Sequence, residues 1–332
     1  MIKPDHPKIP HGRRGVLLVN LGTPSGLRWR DMRKFLKDFL SDPRVVDLNK
    51  VLWWLILNVF ILNFRPHKIK KEYKMIWTAE GSPLRITTKK QAELLAKRLD
   101  MGGVDVEWAL RHGGPSIEQG IKSLKDKGCE TIVVLPLFPQ YSSSCTGSVS
   151  DEVFRVLKDM RWQPAVQIVP RYFDDDDYIK AISGSIEREL ERLEWKPDQI
   201  LLSYHNVPRV TLERGDPYYC QCLKTTRLIR EQLKPYNIPI ETVFQSRLGR
   251  KKDWFDPALD TTLINLPIND VHKLLIACPG FSADCLETIN EIGNEGQESF
   301  RSKGGHEFKL VHCLNTSTSH IDLIAKLVGK FL

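Results

Sequence analysis

His205 closes an apolar run, Leu201-Leu202-Ser203-Tyr204, and opens a loop through Asn206, Val207 and Pro208. A second apolar run, 273–277, leads into Cys278-Pro279-Gly280-Phe281-Ser282-Ala283-Asp284-Cys285-Leu286-Glu287-Thr288. Imidazole titrates near neutrality and is the commonest metal ligand. A carboxylate near a helix start can bind a cation or relay a proton. One of each on two loops suits divalent-metal binding or proton transfer, and the residues alone leave that choice open. A lone strand-end histidine is also often structural.

Glu287, Glu291 and Glu295 recur at i, i+4 and i+8, so a continuous helix places them on one face. Ser282 is the expected cap, with Asp284 in the first turn and Glu287 in the second. Gly293 lies inside the stripe, where a helix is open to bending or ending. The stripe reads as a solvated acidic face or as a track for protons or cations. Pro139-Gln140-Tyr141-Ser142-Ser143-Ser144-Cys145-Thr146-Gly147 presents hydroxyls that suit a substrate carboxylate or a helix cap. Arg111-His112-Gly113-Gly114-Pro115, Gly81-Ser82-Pro83-Leu84 and Phe244-Gln245-Ser246-Arg247-Leu248-Gly249 are further loop positions, and their basic side chains suit an anionic ligand.

The elements that must position these residues follow from periodicity. Strands are expected at 15–21, 104–110, 131–137 and 165–170, then at 199–204, 240–245, 273–277 and 307–311. Met32, Phe35, Leu36, Phe39 and Leu40 trace one apolar helical face. Further helices are expected near 116–127, from 148, and near 177–193, 220–233, 282–292 and 319–331. The strands are continuous Val/Ile/Leu runs, which predicts a parallel sheet covered on both faces. Strand–helix alternation predicts an α/β fold, two similar doubly wound (flavodoxin- or Rossmann-like) parallel-sheet lobes with a cleft between them. Four strands fall in each half, although no identity between the halves is evident. The lobes are expected at 1–165 and 166–311, the second carrying His205 and Glu287, with the terminal helix in 312–332 packing back on the first. Ligands of such sheets bind beyond the carboxyl ends of strands, where every segment above lies. No GxGxxG or GxxxxGK[ST] phosphate loop occurs.

The length of 332 residues suits two domains. The formal net charge of +8 suits an acidic small molecule or an anionic membrane surface. The basic residues are dispersed and no nucleic-acid-binding signature backs them, so nucleic acid is not an expected partner. The start, Met1-Ile2-Lys3-Pro4-Asp5-His6-Pro7, lacks a signal peptide's apolar core. With seven cysteines, an odd number without a CxxC pair, it points to free thiols in a reducing cytoplasm. The run 51–62 (VLWWLILNVFIL) is too short to span a bilayer. It reads as a buried helix or as an exposed lip, with Arg65, His67, Lys68, Lys70 and Lys71 beyond it fitting an interfacial segment.

Together these segments resemble the ferrochelatases over nearly the whole chain. The resemblance rests on Leu18-Val19-Asn20-Leu21-Gly22-Thr23-Pro24, Gly81-Ser82-Pro83-Leu84, Pro139-Gln140-Tyr141-Ser142, Ser203-Tyr204-His205, Gly215-Asp216-Pro217-Tyr218, Phe244-Gln245-Ser246-Arg247 and 279–288, in that order. It implies a lyase that inserts Fe2+ into protoporphyrin IX as the last step of haem biosynthesis. It puts the family's metal-site histidine on His205 and its carboxylate on Glu287, with Glu291 and Glu295 as the proton or metal path. Leu21, Arg65, Ser82 and Tyr141 are the implied substrate contacts. Leu21 stands where the coproporphyrin-using branch carries tyrosine, which favours protoporphyrin. Asn206 replaces a glycine common in relatives. The chain lacks the Cys-rich C-terminal extension of animal members, so no [2Fe–2S] cluster is expected, nor any other tightly bound cofactor. A cytoplasmic monomer in peripheral contact with the inner membrane is the expected setting. The alternatives are a related tetrapyrrole chelatase, using cobalt or coproporphyrin, and a two-lobed tetrapyrrole binder without turnover.

Overall fold

Four strands, β1 (Arg13–Gly22), β2 (Val104–His112), β3 (Cys129–Pro136) and β4 (Ala165–Ile168), form one parallel sheet in the order β2-β1-β3-β4. Four more, β5 (Gln199–His205), β6 (Ile240–Gln245), β7 (Lys273–Ala277) and β8 (Glu307–Leu310), form a second in the order β6-β5-β7-β8. The computed structural model describes residues 12–99, 103–247 and 253–332. The Met1–Pro7 start and Gly102, Leu248 and Gly249 lie outside the described residues. Val16, Leu17, Leu18 and Val19 are wholly buried, as are Leu201 and Leu202, because helices cover both faces of each sheet.

The two sheets repeat one topology. Each opens with a central strand, crosses to one side, returns to the other side and finishes at that edge. With β1 set against β5 and β3 against β7 in that order, a few residues coincide. Leu17, Leu18 and Pro24 match Leu201, Leu202 and Pro208, and Pro139, Ser142 and Cys145 match Pro279, Ser282 and Cys285. Both third strands lead into π-wound helices, Ser143–Gly147 and Leu286–Gly296. The unevenly spaced matches explain why no repeat is visible along the sequence.

The expected boundary between 165 and 166 falls inside β4, which pairs with β3 of the first sheet. The last helix, Thr318–Gly329, lies against Pro83–Arg98 of the first half and Asp176–Arg192 at the start of the second. Arg98–Asp322 and Lys326–Asp177 ion pairs accompany that packing. Helix Pro83–Arg98 is absent from the sequence-based expectation, although Ser82 as cap and Pro83 at its first position mark its start.

Each half also holds the other's third-strand loop. The Tyr141 N–H donates to Gln221 Oε1 (2.7 Å) and the Ser143 N–H to Asp216 Oδ2 (2.6 Å). In the reverse direction Gln91 Nε2 donates to the carbonyls of Ser282 (3.1 Å) and Asn315 (2.9 Å).

The apolar run 51–62 is helical and continues into Leu62–Ile76. Only one side is buried. Leu57 and Leu62 pack on Leu36 and Leu40, while Val51, Leu52, Trp54, Leu55, Val59, Phe60 and Phe64 are exposed. The run is therefore a lip, not a buried helix.

Candidate active site

In a sheet ordered β6-β5-β7-β8 the connections diverge between β5 and β7, opening a crevice at their carboxyl ends. His205 is the last residue of β5, and the loop after β7 ends in the helix that carries Glu287. The fold thus sets the imidazole and the carboxylate on either side of one switch point.

His205 is exposed at the end of a strand whose preceding four residues are buried. Its Nδ1 lies 2.7 Å from the Asn206 carbonyl oxygen. A carbonyl only accepts, so in the neutral ring Nδ1 carries the hydrogen and Nε2 keeps its lone pair. Asn206 is buried, donating to the Phe255 carbonyl (2.9 Å) and accepting from the Phe255 N–H (3.1 Å). These two bonds fix the turn, a job glycine could not do.

The second helix starts later than expected. Cys285, not Ser282, is its N-cap, and the Cys285 N–H donates to Thr288 Oγ1 at 2.9 Å. Glu287 therefore lies in the first turn, where the helix dipole favours negative charge. Asp284 stays outside the helix and ties its start to the chain after β8. It accepts from the Cys313 N–H (3.0 Å) and Asn315 Nδ2 (2.8 Å), and its Oδ2 lies 2.8 Å from His312 Nδ1. Burial alone would raise the Asp284 carboxyl. The bonds from His312, Asn315 and Cys313 outweigh it and hold the group below its ordinary range. Gly293 does not end the helix, which is wound i→i+5 through Gly296 and continues as Gln297–Arg301. A Cβ on Gly293 would sit 3.4 Å from Leu310 Cδ2, so the glycine lets the helix lie close to β8.

Glu291 is clamped. Its Oε1 accepts from the Ser246 N–H (2.7 Å), and its Oε2 accepts from Ser246 Oγ (2.5 Å) and Gln245 Nε2 (3.5 Å). Gln245 also donates to the Glu287 carbonyl (2.8 Å) and accepts from Ser203 Oγ (2.8 Å). Gln245 is the register partner of His205, so one side chain joins the histidine strand to the glutamate helix. Burial pushes the Glu291 carboxyl up. Ser246 and the nearby His205 pull it down, and the Glu287 charge pushes it up again. His205, Glu287 and Glu291 thus share one electrostatic neighbourhood. Glu295 is exposed and held by Asn290 Nδ2 (2.8 Å).

The remaining predicted positions are more dispersed. Leu21 ends β1 half-buried, its N–H donating to Asn20 Oδ1 (2.8 Å), and Asn20 Nδ2 reaches Ser282 Oγ at 3.4 Å. Tyr141 is half-buried in the loop after β3, and Arg65 is exposed on the lip helix. Ser82 is buried, its hydroxyl accepting from the Arg85 N–H at 3.5 Å as a helix cap. Two loop arginines expected to suit an anionic ligand are spent internally. Arg111 donates to Asp42 Oδ2 (2.7 Å) and the Ser148 carbonyl (3.0 Å), and Arg247 to Asp260 (2.8 Å). Gln245 and Ser246 do not bind an external ligand through a basic group, as their segment suggested; they hold a carboxylate. Burial pushes the Cys145 thiol up to about 12, so it is protonated at neutral pH. Among the described residues no three His, Cys, Asp or Glu side chains are arranged to hold a metal ion.

Residues 13–332 match the ferrochelatase family model. The chain belongs to the ferrochelatase family. A ferrochelatase of Rhizobium etli is 46% identical over 331 residues, covering 99% of this chain and 96% of that protein. One of Nitrobacter hamburgensis is 45% identical over 323 residues, covering 96% and 93%. Among solved structures, SirB from Bacillus subtilis with Fe3+ superimposes with a TM-score of 0.57 at 12% identity, covering 96% of this chain and 95% of that one. The sirohydrochlorin chelatase SirB from Bacillus subtilis subspecies spizizenii in complex with cobalt gives 0.55, also at 12% identity and with 96% and 95% coverage. At that identity the likeness concerns the fold alone, and it matches the two-lobed α/β architecture. Ferrochelatase membership makes this protein a lyase, and its two lobes are the family's expected frame.

Proposed function

We propose that the protein inserts ferrous iron into protoporphyrin IX to give protohaem, with His205 and Glu287 at the reacting centre. The observation that carries the site is an imidazole with a free Nε2 sharing one switch-point crevice with Glu287 and the clamped Glu291. Family membership supports the reaction.

Metallation exchanges two pyrrole N–H protons for one Fe2+, so the site must accept protons and strip water from a cation. His205 Nε2 takes one pyrrole proton, because Nδ1 is committed to Asn206, passes it to water at its exposed edge and is then free to take the second. Glu287, whose carboxylate meets only the weak donor Cys285 thiol, supplies a hard oxygen donor for incoming iron. Glu291 cannot swing, so it stabilises the imidazolium rather than carrying cargo. Iron is a substrate here, not a resident cofactor. Leu21 supports protoporphyrin over coproporphyrin, since leucine offers no axial ligand. Arg65, Ser82 and Tyr141 remain the proposed substrate contacts, with Ser82 acting through the helix it caps.

Among the described residues no helix is long and apolar enough to cross a membrane. The exposed lip, flanked by Lys68, Lys70 and Lys71, supports peripheral contact with an anionic membrane. The deciding experiment is anaerobic metallation with protoporphyrin and coproporphyrin in parallel. Multiple turnovers with protoporphyrin are expected. Stoichiometric binding without turnover would make the protein a tetrapyrrole binder, and preference for coproporphyrin or for cobalt would move it to another chelatase class.

A further inference from the structure

The loop after β3 belongs to the first half of the chain but is held by the second. Gln221 and Thr225 stand one turn apart on helix Tyr218–Gln232, and Asp216 lies just before it. All three are buried, and each holds one residue of the loop. Gln140 Nε2 donates to Thr225 Oγ1 (3.1 Å), the Tyr141 N–H to Gln221 Oε1 (2.7 Å) and the Ser143 N–H to Asp216 Oδ2 (2.6 Å). Asp216 is itself fixed, its Oδ1 accepting from the Tyr218 N–H (3.0 Å). Hydrogen bonds this well buried are strong and costly to break, so the second half fixes where the loop stands.

Gln140 and Ser142 are buried, and Tyr141 between them is half-buried. Its backbone is pinned, yet its hydroxyl has no hydrogen-bond partner among the described residues. That hydroxyl stands over Gly147, 3.2 Å from where a Cβ would be. The crevice of the first sheet opens between β1 and β3, and this loop leaves the carboxyl end of β3. The matching loop of the second half carries Phe281 at the place of Tyr141, in step with the pairs Pro139 and Pro279, Ser142 and Ser282. The shared architecture therefore accepts a plain aromatic ring there and does not depend on a hydroxyl. A hydroxyl without a partner, on a backbone held this firmly, is free for a ligand.

We propose that Gln221, together with Asp216, is a positioning residue that holds the Tyr141 hydroxyl against the porphyrin from across the cleft. This rests on the porphyrin-metallating reading above, in which Tyr141 is a substrate contact. A contact made alike in the bound and the reacting state affects KM for the porphyrin and not kcat. Two residues that act through one contact are not additive, whereas independent ones are.

The test uses the full chain with Tyr141→Phe, Gln221→Met and the double variant. Protoporphyrin is titrated by absorbance without iron, and turnover is followed in anaerobic metallation. Tyr141→Phe is expected to weaken porphyrin binding about fivefold, the effect of one hydrogen bond. Gln221→Met should weaken it about as much, and the double variant no more than either single variant. KM for protoporphyrin should rise in step, with kcat moving less than about twofold. Losses that multiply to about 25-fold, or an unchanged affinity in either single variant, would overturn the proposal. A merely structural role for Gln221 would lower the urea midpoint and leave the affinity of the folded variant unchanged. If Gln221→Met does not fold, Asp216→Asn, which keeps the side chain's shape, takes its place in the cycle with the same expected and refuting results. Coupled porphyrin binding in a protein that metallates nothing would sink the iron-inserting reading and leave the positioning intact. Metallation without the coupling would do the reverse.

Discussion

Replacing Gln245 by methionine tests whether the His205 strand and the Glu287 helix are one mechanical unit. Methionine has a similar volume, so no cavity forms and the loss is polar. Gln245 is 1% exposed and makes two bonds of 2.8 Å, from Ser203 Oγ and to the Glu287 carbonyl, plus a long contact to Glu291. Each good bond contributes about 1 kcal/mol net, and a buried partner left unpaired costs about 1–3 kcal/mol. Ser203 is wholly buried and loses its partner, whereas the Glu287 carbonyl keeps its helical bond. The expected loss is about 2–3 kcal/mol in urea unfolding at unchanged m-value. Glu287 also loses its tether to β6. A displacement of about 1 Å at a reacting centre costs on the order of a hundredfold, so kcat should fall by about ten- to a hundredfold with little change in KM for porphyrin. A destabilisation below about 1 kcal/mol together with turnover within about twofold of wild type would refute the reasoning.

His205→Ala should abolish iron insertion while porphyrin still binds, and Glu287→Gln should cut it severely; absorbance assays of metalloporphyrin formation and of porphyrin titration check both. Asp284→Asn should destabilise the protein most between about pH 4 and pH 6.5. Asp284 is held below its ordinary range, so its contribution is present above that range and is lost as pH falls through its folded value. His312 is raised, chiefly by its bond to Asp284, so its contribution is present below its ordinary value and is lost as pH rises through its folded value. A wild-type minus Asp284→Asn stability difference that stays flat from pH 3 to 9 would contradict this coupling. Trp54→Ser with Phe60→Ser should weaken binding to anionic phospholipid vesicles about tenfold or more in co-sedimentation, given their 61% and 60% exposure, without lowering turnover of detergent-solubilised porphyrin.

The central strands β1, β3, β5 and β7 were legible because parallel strands buried on both faces are written as Val/Ile/Leu runs, whereas the edge strands, such as β2 with Asp105 and Glu107, carry polar residues among the apolar ones and were placed by their spacing. The strand end at His205 and the helix start near Glu287 were legible in the sequence, and the family resemblance is what proposed the two residues as a site. The start of that helix at Cys285 was not, since Ser282 is the stronger capping residue, while the reciprocal box in which the Cys285 N–H donates to Thr288 Oγ1 sets the boundary. Nor was the π winding, because Glu spacing of four fits both helical forms and Gly293 reads locally as a break. The carboxylate clamp of Gln245 and Ser246 joins residues about 45 apart through strand register, which no local pattern encodes. Helix Pro83–Arg98 escaped because its apolar face is weakly periodic: it packs on two neighbours and buries Thr88 and Gln91 along with Leu84 and Leu95.

The duplicated topology places Leu21 where the matching strand carries His205, and Gly147 where the matching helix carries Glu287. A Cβ on Gly147 would stand 3.2 Å from the Tyr141 hydroxyl, so a side chain at that helix start would have to push the Tyr141 ring end aside. At these matched positions one copy of the topology carries an imidazole and a carboxylate, and the other carries leucine and glycine. Under the proposed site, a flat, nearly symmetric guest between the two copies meets donors on one side and apolar or small residues on the other, and polarity across the guest originates in the host. Mutations that retune the reaction and mutations that retune the fit therefore fall on different halves of the chain, and each can drift without erasing the other.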